Sequence, residues 1–313
     1  MDQELPNSIL QERAEKALQR FVNLKPIVVE FAGSPKAGKT TTIGQIQTFL
    51  KRCGFRVEVV VERASVCPVR DKKHFHFNIW TACTTLAQLL EKTQDPPRID
   101  DPQILILDRG LFDSIVWLTM MDHLSKLTTL DRNIIERFLL INEWRRRVSA
   151  VILLTASPTD SMERERGHLP VKATGSIMNI EVLEQLLQIT HDCKDRLEKD
   201  FRVFEVNTSA PETNGKPKRT SEIVADILLN IIEQQIREEV LCIEKSLVVE
   251  RFGHRLAIPS TEASEVHKAF LQTGVFIDRE AVEADLNKVQ ALPVAVIRNK
   301  SGDVLRLRRK EAL

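Results

Sequence analysis

The sequence predicts a doubly wound α/β domain, a five-stranded parallel sheet with helices on both faces, over about residues 1–239, and a small α+β appendage over 240–313. Three observations predict it. Gly33 to Thr40 reads G-x-x-x-x-G-K-T, the Walker A phosphate loop, between an apolar β-rich run from Ile27 and a helical pattern after Thr40. Runs rich in apolar and β-branched residues alternate with helical patterns through the first 239 residues. Behind the loop, Gln103 to Asp108 is an apolar run ending in a carboxylate, the Walker B pattern.

Composition bounds the rest. At 313 residues and 42% hydrophobic the chain is an ordinary globular protein, and a net charge of +1 gives no global argument for nucleic acid. Cys53, Cys67, Cys83, Cys193 and Cys242 are odd in number and contain no C-x-x-C pair, which argues against a disulfide framework or a zinc site and fits a reducing cytoplasm. The acidic start is unlike a signal peptide, and no apolar run approaches membrane-spanning length, so no membrane partner is expected.

Residues 8 to 22 form a packing helix with Ile9, Leu10, Ala14, Ala17, Leu18 and Phe21 on one face and Asn7 or Ser8 as cap. In the loop, Gly33 and Gly38 permit the backbone angles that turn successive N–H groups inward, and Ser34, Pro35, Lys36, Ala37 and Thr41 complete the cradle. Lys39 supplies a point charge to phosphate oxygens and the Thr40 hydroxyl a ligand to Mg²⁺. The chain is expected to handle a nucleoside triphosphate, with magnesium.

The helix after the loop stops at Gly54, and Arg56 to Arg63 reads as the second strand. Glu62 then stands at the carboxyl end of a parallel strand beside the loop, where such sheets place ligands. Phe75, Phe77 and Trp80 lie in a basic, aromatic segment that runs into a helix ending near Glu91; they either stack on a base, with Asn78 on its polar edge, or belong to the core. His74 and His76 read as solvated or hydrogen-bonded. After Asp108, the run Arg109 to Ser114 brings a cation, Gly110 and a second carboxylate, Asp113, to the mouth of the same cleft. A helix over 131–147 is expected to bury Ile134, Ile135, Phe138, Leu139, Ile141 and Trp144. Ser149 to Thr155 is the fourth strand, Pro158 and Asp160 start a helix carrying Arg164 and Arg166, another helix spans 179–197, Arg202 to Asn207 is the fifth strand, and a last helix runs from Thr220 or Ser221 to Glu238. Arg164 and Arg166 either close over the phosphates or are a solvated helix end.

This set, Glu30 to Thr41, Glu62-Arg63, Asp108-Arg109-Gly with Asp113-Ser114, and Arg164-x-Arg166, resembles the thymidylate kinase and deoxynucleoside kinase group of phosphate-loop kinases over about residues 26–238. The resemblance implies a P-loop nucleotide-kinase fold, transfer of the γ-phosphate of ATP, and a lid that closes with arginines. It implies that Lys39 and Thr40 hold phosphate and magnesium, that Glu62 takes the proton of an acceptor hydroxyl, that Asp108 touches magnesium and Arg109 the acceptor, and that Arg164 and Arg166 belong to the lid. The acceptor side is expected to comprise Glu62, Arg63, Phe77, Asn78, Trp80, Arg109 and Asp113. Gly110 departs from the group, which usually has Ser, Tyr or His there.

Residues 293–309 read as a hairpin about an Asn-Lys-Ser-Gly-Asp turn. With residues 270–285 this tail is similar to the front portion of some Nudix hydrolases, but the metal-binding Nudix box is missing, so no hydrolase activity is expected; dimerisation or partner binding is. The functional expectation is a magnesium- and ATP-dependent kinase acting on a nucleoside, nucleotide or similar small molecule. The competing expectation is a nucleoside-triphosphate switch working through the tail. An acceptor pocket lined by Glu62, Arg63 and Arg109 distinguishes them.

Overall fold

Strand β1 (Ile27–Gly33) is buried along its whole length and forms the centre of a five-stranded sheet of order β2-β3-β1-β4-β5, in which every pairing is parallel. The other strands are β2 (Val57–Val60), β3 (Ile104–Asp108), β4 (Val148–Thr155) and β5 (Val203–Asn207). In this computed structural model the residues described are 6–21, 25–62, 66–168, 178–209, 220–237, 239–254, 260–283 and 285–290. The chain divides into two compact units, Met1–Ile236 and Arg237–Leu313.

In the first unit, helices α1 (Pro6–Arg20), α2 (Lys39–Arg52) and α9 (Thr220–Gln235) cover one face of the sheet, against Ile27, Val29 and Phe31. The other face, against Val28 and Ala32, is covered by α3 (Phe75–Lys92), α4 (Leu111–His123) and α8 (Ile180–Arg196), with α5 (Thr129–Leu139), α6 (Asn142–Arg145) and α7 (Pro158–His168) around them. Alternation along β1 sends successive side chains to opposite layers, and both layers are apolar, so the strand reads as a nearly continuous hydrophobic run. The parallel register brings the carboxyl ends together: Phe31 lies beside Asp108, and Val60 beside Leu107.

Several expectations are corrected. The second strand ends at Val60, so Glu62 stands in the segment beyond it. Helix α4 was not foreseen, because Leu111, Phe112, Ile115, Val116, Leu118, Met120 and Met121 are all buried and an all-round apolar helix has no amphipathic stripe to read. The helix expected over 131–147 is two, α5 and α6, separated at Leu140 and Ile141. Its buried side also differs: Leu139 is buried, but Ile134, Phe138 and Ile141 are exposed, since α5 turns Glu136 inward to ion-pair with Arg132 and Arg196. The first helix begins at Pro6, ahead of the expected cap, a position that suits proline because its missing N–H is unneeded there. The last ends at Gln235, three residues before Glu238.

The second unit contains an antiparallel sheet of order β7-β6-β8, from β6 (Glu239–Glu244), β7 (Val275–Asp278) and β8 (Lys288–Gln290), with α10 (Lys245–Phe252), α11 (Ala263–Thr273) and α12 (Arg279–Glu283). Cys242, Ile243, Phe252, Ala269 and Val282 are buried in it. The expected hairpin over 293–309 lies outside the described residues. No described helix is long and apolar enough to cross a membrane.

Candidate active site

The phosphate loop connects β1 to α2. Gly33 adopts φ +130°, and a Cβ there would lie 1.9 Å from the Leu154 carbonyl oxygen of the neighbouring strand, so both the backbone and the space demand glycine. Gly38, the residue before α2, is left-handed at φ +87°, and Lys36 at +60°. Lys39 opens α2 with its ammonium buried, donating to the carbonyls of Gly33 (2.7 Å) and Ser34 (2.8 Å). Burial, seconded by the charge of Arg109, pushes its pKa down to about 8 against the pull of Asp113, Asp108 and Glu62. Thr40 and Thr41 are exposed on the wall of a cavity of about 820 Å³ that follows the loop from Pro35 onward and reaches Arg164 and Thr208. Such a line of amides and hydroxyls at a helix N-terminus is built for a polyphosphate.

A second cavity, of about 180 Å³, opens between α3 and α4. Phe77, Asn78, Thr81 and Thr85 come from one side of α3, and Ser114, Trp117 and Met121, at helical spacing, from one side of α4. The two cavities share four lining residues, Pro35, Glu62, Asp108 and Arg109.

Arg109 organises that shared wall. Its backbone is left-handed at φ +67°, and its guanidinium pairs with Asp113 (2.8 Å) and Glu62 (3.1 Å) while lying 5.6 Å from the Trp117 ring centre. Burial opposes its charge, but Asp113 and Glu62 outweigh burial and hold its pKa above the ordinary arginine value. Asp113 is itself buried and also accepts from the Gly33 N–H at 3.2 Å, so it joins the phosphate loop to Arg109. Asp108 is different: among the described residues no hydrogen bond holds its carboxylate, and burial, then the nearby Glu62, raises its pKa against Lys39 and Arg109.

The Thr40 hydroxyl and the Asp108 carboxylate are hard oxygen donors facing the phosphate-loop cavity, a set that fits magnesium, which typically takes one or two protein ligands beside substrate phosphates. Among the described residues no group of three or more His, Cys, Asp or Glu side chains could hold a metal by itself. His74 caps α3, its Nδ1 accepting from the His76 N–H at 3.2 Å.

The structure thus brings the residues of the loop together with Glu62, Phe77, Asn78, Asp108, Arg109 and Asp113. Arg164 joins them, donating to the Lys36 carbonyl (3.1 Å) and to Thr208 Oγ1 and O (2.9 Å each), and Lys36 pairs with the buried Glu165 at 2.7 Å. Arg166 is exposed and lines neither cavity, because it projects from another side of α7. Trp80 also lines neither: it falls off the helical side of α3 that carries Phe77, Thr81 and Thr85. Phe75 takes the core reading, packing against the cluster under α3 and α4. Arg63 lies outside the described residues. Sequence reasoning missed Trp117, Ser114, Met121, Thr81 and Thr85; the available signal was helical spacing counted from Phe77 and from Asp113.

No family model matches the chain, and no curated protein matches it. Solved structures do match in fold. The deoxyadenosine kinase from M. mycoides with bound dCTP is 18% identical with a TM-score of 0.48, covering 65% of this chain and 99% of that one. The same enzyme with its products dCMP and a flexible dCDP gives 17% and 0.48 over 66% and 100%, and with bound dATP 20% and 0.46 over 65% and 100%.

Proposed function

We propose that this protein is a kinase that transfers the γ-phosphoryl group of ATP, with magnesium, to a small acceptor, and that the acceptor oxygen is a hydroxyl on a nucleoside or similar ring compound. The observation that carries this reading is the common wall. A polyphosphate cradle and a separate small-molecule cavity meet at Glu62, Asp108 and Arg109, the place where a phosphoryl group would pass from one to the other. A nucleotide switch needs only the first cavity.

Magnesium, held by Thr40 and Asp108, would neutralise charge on the phosphate oxygens. The loop amides and Lys39 hold the β and γ oxygens, Lys39 exchanging its two carbonyl partners for phosphate. Glu62 takes the proton of the acceptor hydroxyl, and Arg109, through its ion pair, keeps that carboxylate aimed. Phe77 and Trp117 offer ring faces, with Asn78, Thr81, Thr85 and Ser114 as neutral hydrogen-bonding groups.

Charge favours a hydroxyl over a phosphomonoester. The acceptor cavity is lined by three carboxylates, Glu62, Asp108 and Asp113, and two cations, Lys72 and Arg109, and Arg109 is already committed to two of those carboxylates. With Asp108 given to magnesium and Arg109 to Glu62 and Asp113, Lys72 is, among the described lining residues, the one cation left to meet a dianion. The test is product formation from ATP with a panel of nucleosides and nucleoside monophosphates, read by mass spectrometry. A phosphorylated nucleoside is expected; products only from monophosphates would overturn the hydroxyl assignment, and ATP hydrolysis without any phosphorylated acceptor would support the switch instead.

A further inference from the structure

Glu30 stands in the middle of the central strand β1, with a hydrogen-bonded strand on each side and 0% exposure. Its neighbours on the same side of the strand, Val28 and Ala32, belong to the apolar layer under α3, α4 and α8. A carboxylate in such a place must be met by donors or it destabilises the fold by several kcal/mol. Oε1 accepts from the N–H groups of Gly110 (3.0 Å) and Asp113 (2.8 Å), and Oε2 from that of Phe112 (3.1 Å). These are the unpaired amides at the start of α4, whose own cap residue, Gly110, has no side chain with which to bind them. Glu30 therefore does, from a strand 80 residues earlier, what a capping side chain does locally, and adds a negative charge at the positive end of the helix.

Gly110 follows from the same contact. Its φ of −133° is open to any residue, but a Cβ would lie 2.5 Å from Glu30 Oε2, 2.6 Å from Cδ and 2.9 Å from Cγ. The carboxylate occupies the space that a side chain at position 110 would need. The segment held this way carries the acceptor-side charges: Arg109 directly precedes it, and Asp113 lies in the first turn of α4, accepting from Arg109, which in turn reaches Glu62.

We propose that Glu30 and Gly110 are a matched pair of positioning residues: the buried carboxylate holds the start of α4 so that Asp113 and Arg109 present Glu62 to the acceptor. The consequence for turnover rests on the kinase reading; the placement of residues 110–113 by Glu30 does not. Glu30 itself touches none of the reacting atoms.

Glu30→Gln in the full chain keeps the size and two of the three contacts, and sets its NH₂ against the Phe112 N–H. The acceptor kcat/KM is expected to fall about 10-fold while the affinity for a non-hydrolysable ATP analogue stays within about 2-fold. Amide hydrogen exchange at 110–113 is expected to quicken, with the rest of the sheet unchanged. Gly110→Ala alone is expected to reproduce the acceptor defect, yet to add nothing when built on Glu30→Ala, where the colliding carboxylate is gone; additive losses would overturn the pairing. Should Glu30→Ala fail to fold, Glu30→Gln and Gly110→Ala carry the test. Equal losses of nucleotide affinity and acceptor turnover in Glu30→Gln would overturn the positioning role. If wild type phosphorylates no acceptor, the kinase reading falls alone, and unchanged exchange at 110–113 in Glu30→Gln would then separately overturn the placement.

Discussion

The two cavities that meet at Glu62 and Arg109 are built by opposite means. The phosphate cradle is lined mainly by one contiguous stretch, Pro35 to Thr42, with hydroxyls and a single buried ammonium. The acceptor cavity is drawn from α3, α4, the end of β3 and the segment after β2, and mixes two rings and four neutral polar residues with five charged ones. On the kinase reading, backbone would recognise what every nucleoside triphosphate shares, and side chains spaced along two helices what is particular to an acceptor. Substitutions in the cradle should therefore act on catalysis with any acceptor, and substitutions across the wall should act on acceptor choice.

The largest effect is expected at Lys39. Lys39→Ala removes the charge beside the transferring phosphate and should lower kcat by about 10⁴-fold with every acceptor, with cooperative melting retained. Unchanged phosphoryl transfer in a rapid-quench assay would end the phosphate-loop argument.

Glu62→Gln sits on the shared wall and sharpens the comparison. It keeps shape but removes proton acceptance, so kcat with a hydroxyl acceptor should fall by roughly 10²- to 10⁴-fold while nucleotide binding is nearly unchanged. A loss confined to the acceptor's KM would mean that Glu62 only orients the substrate, as for an already ionised phosphate acceptor.

The third prediction concerns the acceptor side in the absence of any ligand. Burial, aided by the charge of Asp113 and opposed by the three N–H bonds, raises the pKa of Glu30 from 4.5 to about 7. Because the folded value is the higher one, folding takes up a proton: the stability contributed by Glu30 is complete below pH 4.5 and lost as pH rises through 7. Urea melts should show wild type losing up to about 3 kcal/mol relative to Glu30→Gln across that window, at 1.36 kcal/mol per unit. Parallel stability profiles for the two proteins would remove the raised pKa.

The smallest effect separates two tryptophans. Trp117→Ala should raise the acceptor KM about 10-fold by removing a ring wall and the platform under Arg109, with the KM for ATP unchanged. Trp80→Ala should change either KM by less than about 2-fold, since Trp80 lines neither cavity. The reverse order in steady-state kinetics would move the acceptor to the other side of α3.

What the sequence determined by itself was everything local. The phosphate loop, the carboxylate at the end of the third strand, and the alternation of strands and helices depend on neighbours within a few residues, so composition and spacing expose them. Only the tertiary structure decided the acceptor side. Helix α4 is buried on most sides and shows no amphipathic stripe, so the helical spacing that leads from Asp113 to Trp117 is visible only once the helix is known. The capping role of Glu30 is not legible in its own strand, because its donors lie 80 to 83 residues away. Gly110 looked like a departure from a pattern, because the atom that excludes its side chain belongs to another strand. The stripe of Ile134, Phe138 and Ile141 was assigned to the core, and the ion pairs of Glu136 with Arg132 and Arg196 turned the helix the other way. For Glu30, and for Glu136 with Arg196, a buried charge is satisfied by a partner distant in sequence, and burial of charge is a property of the packed chain, not of any stretch of it.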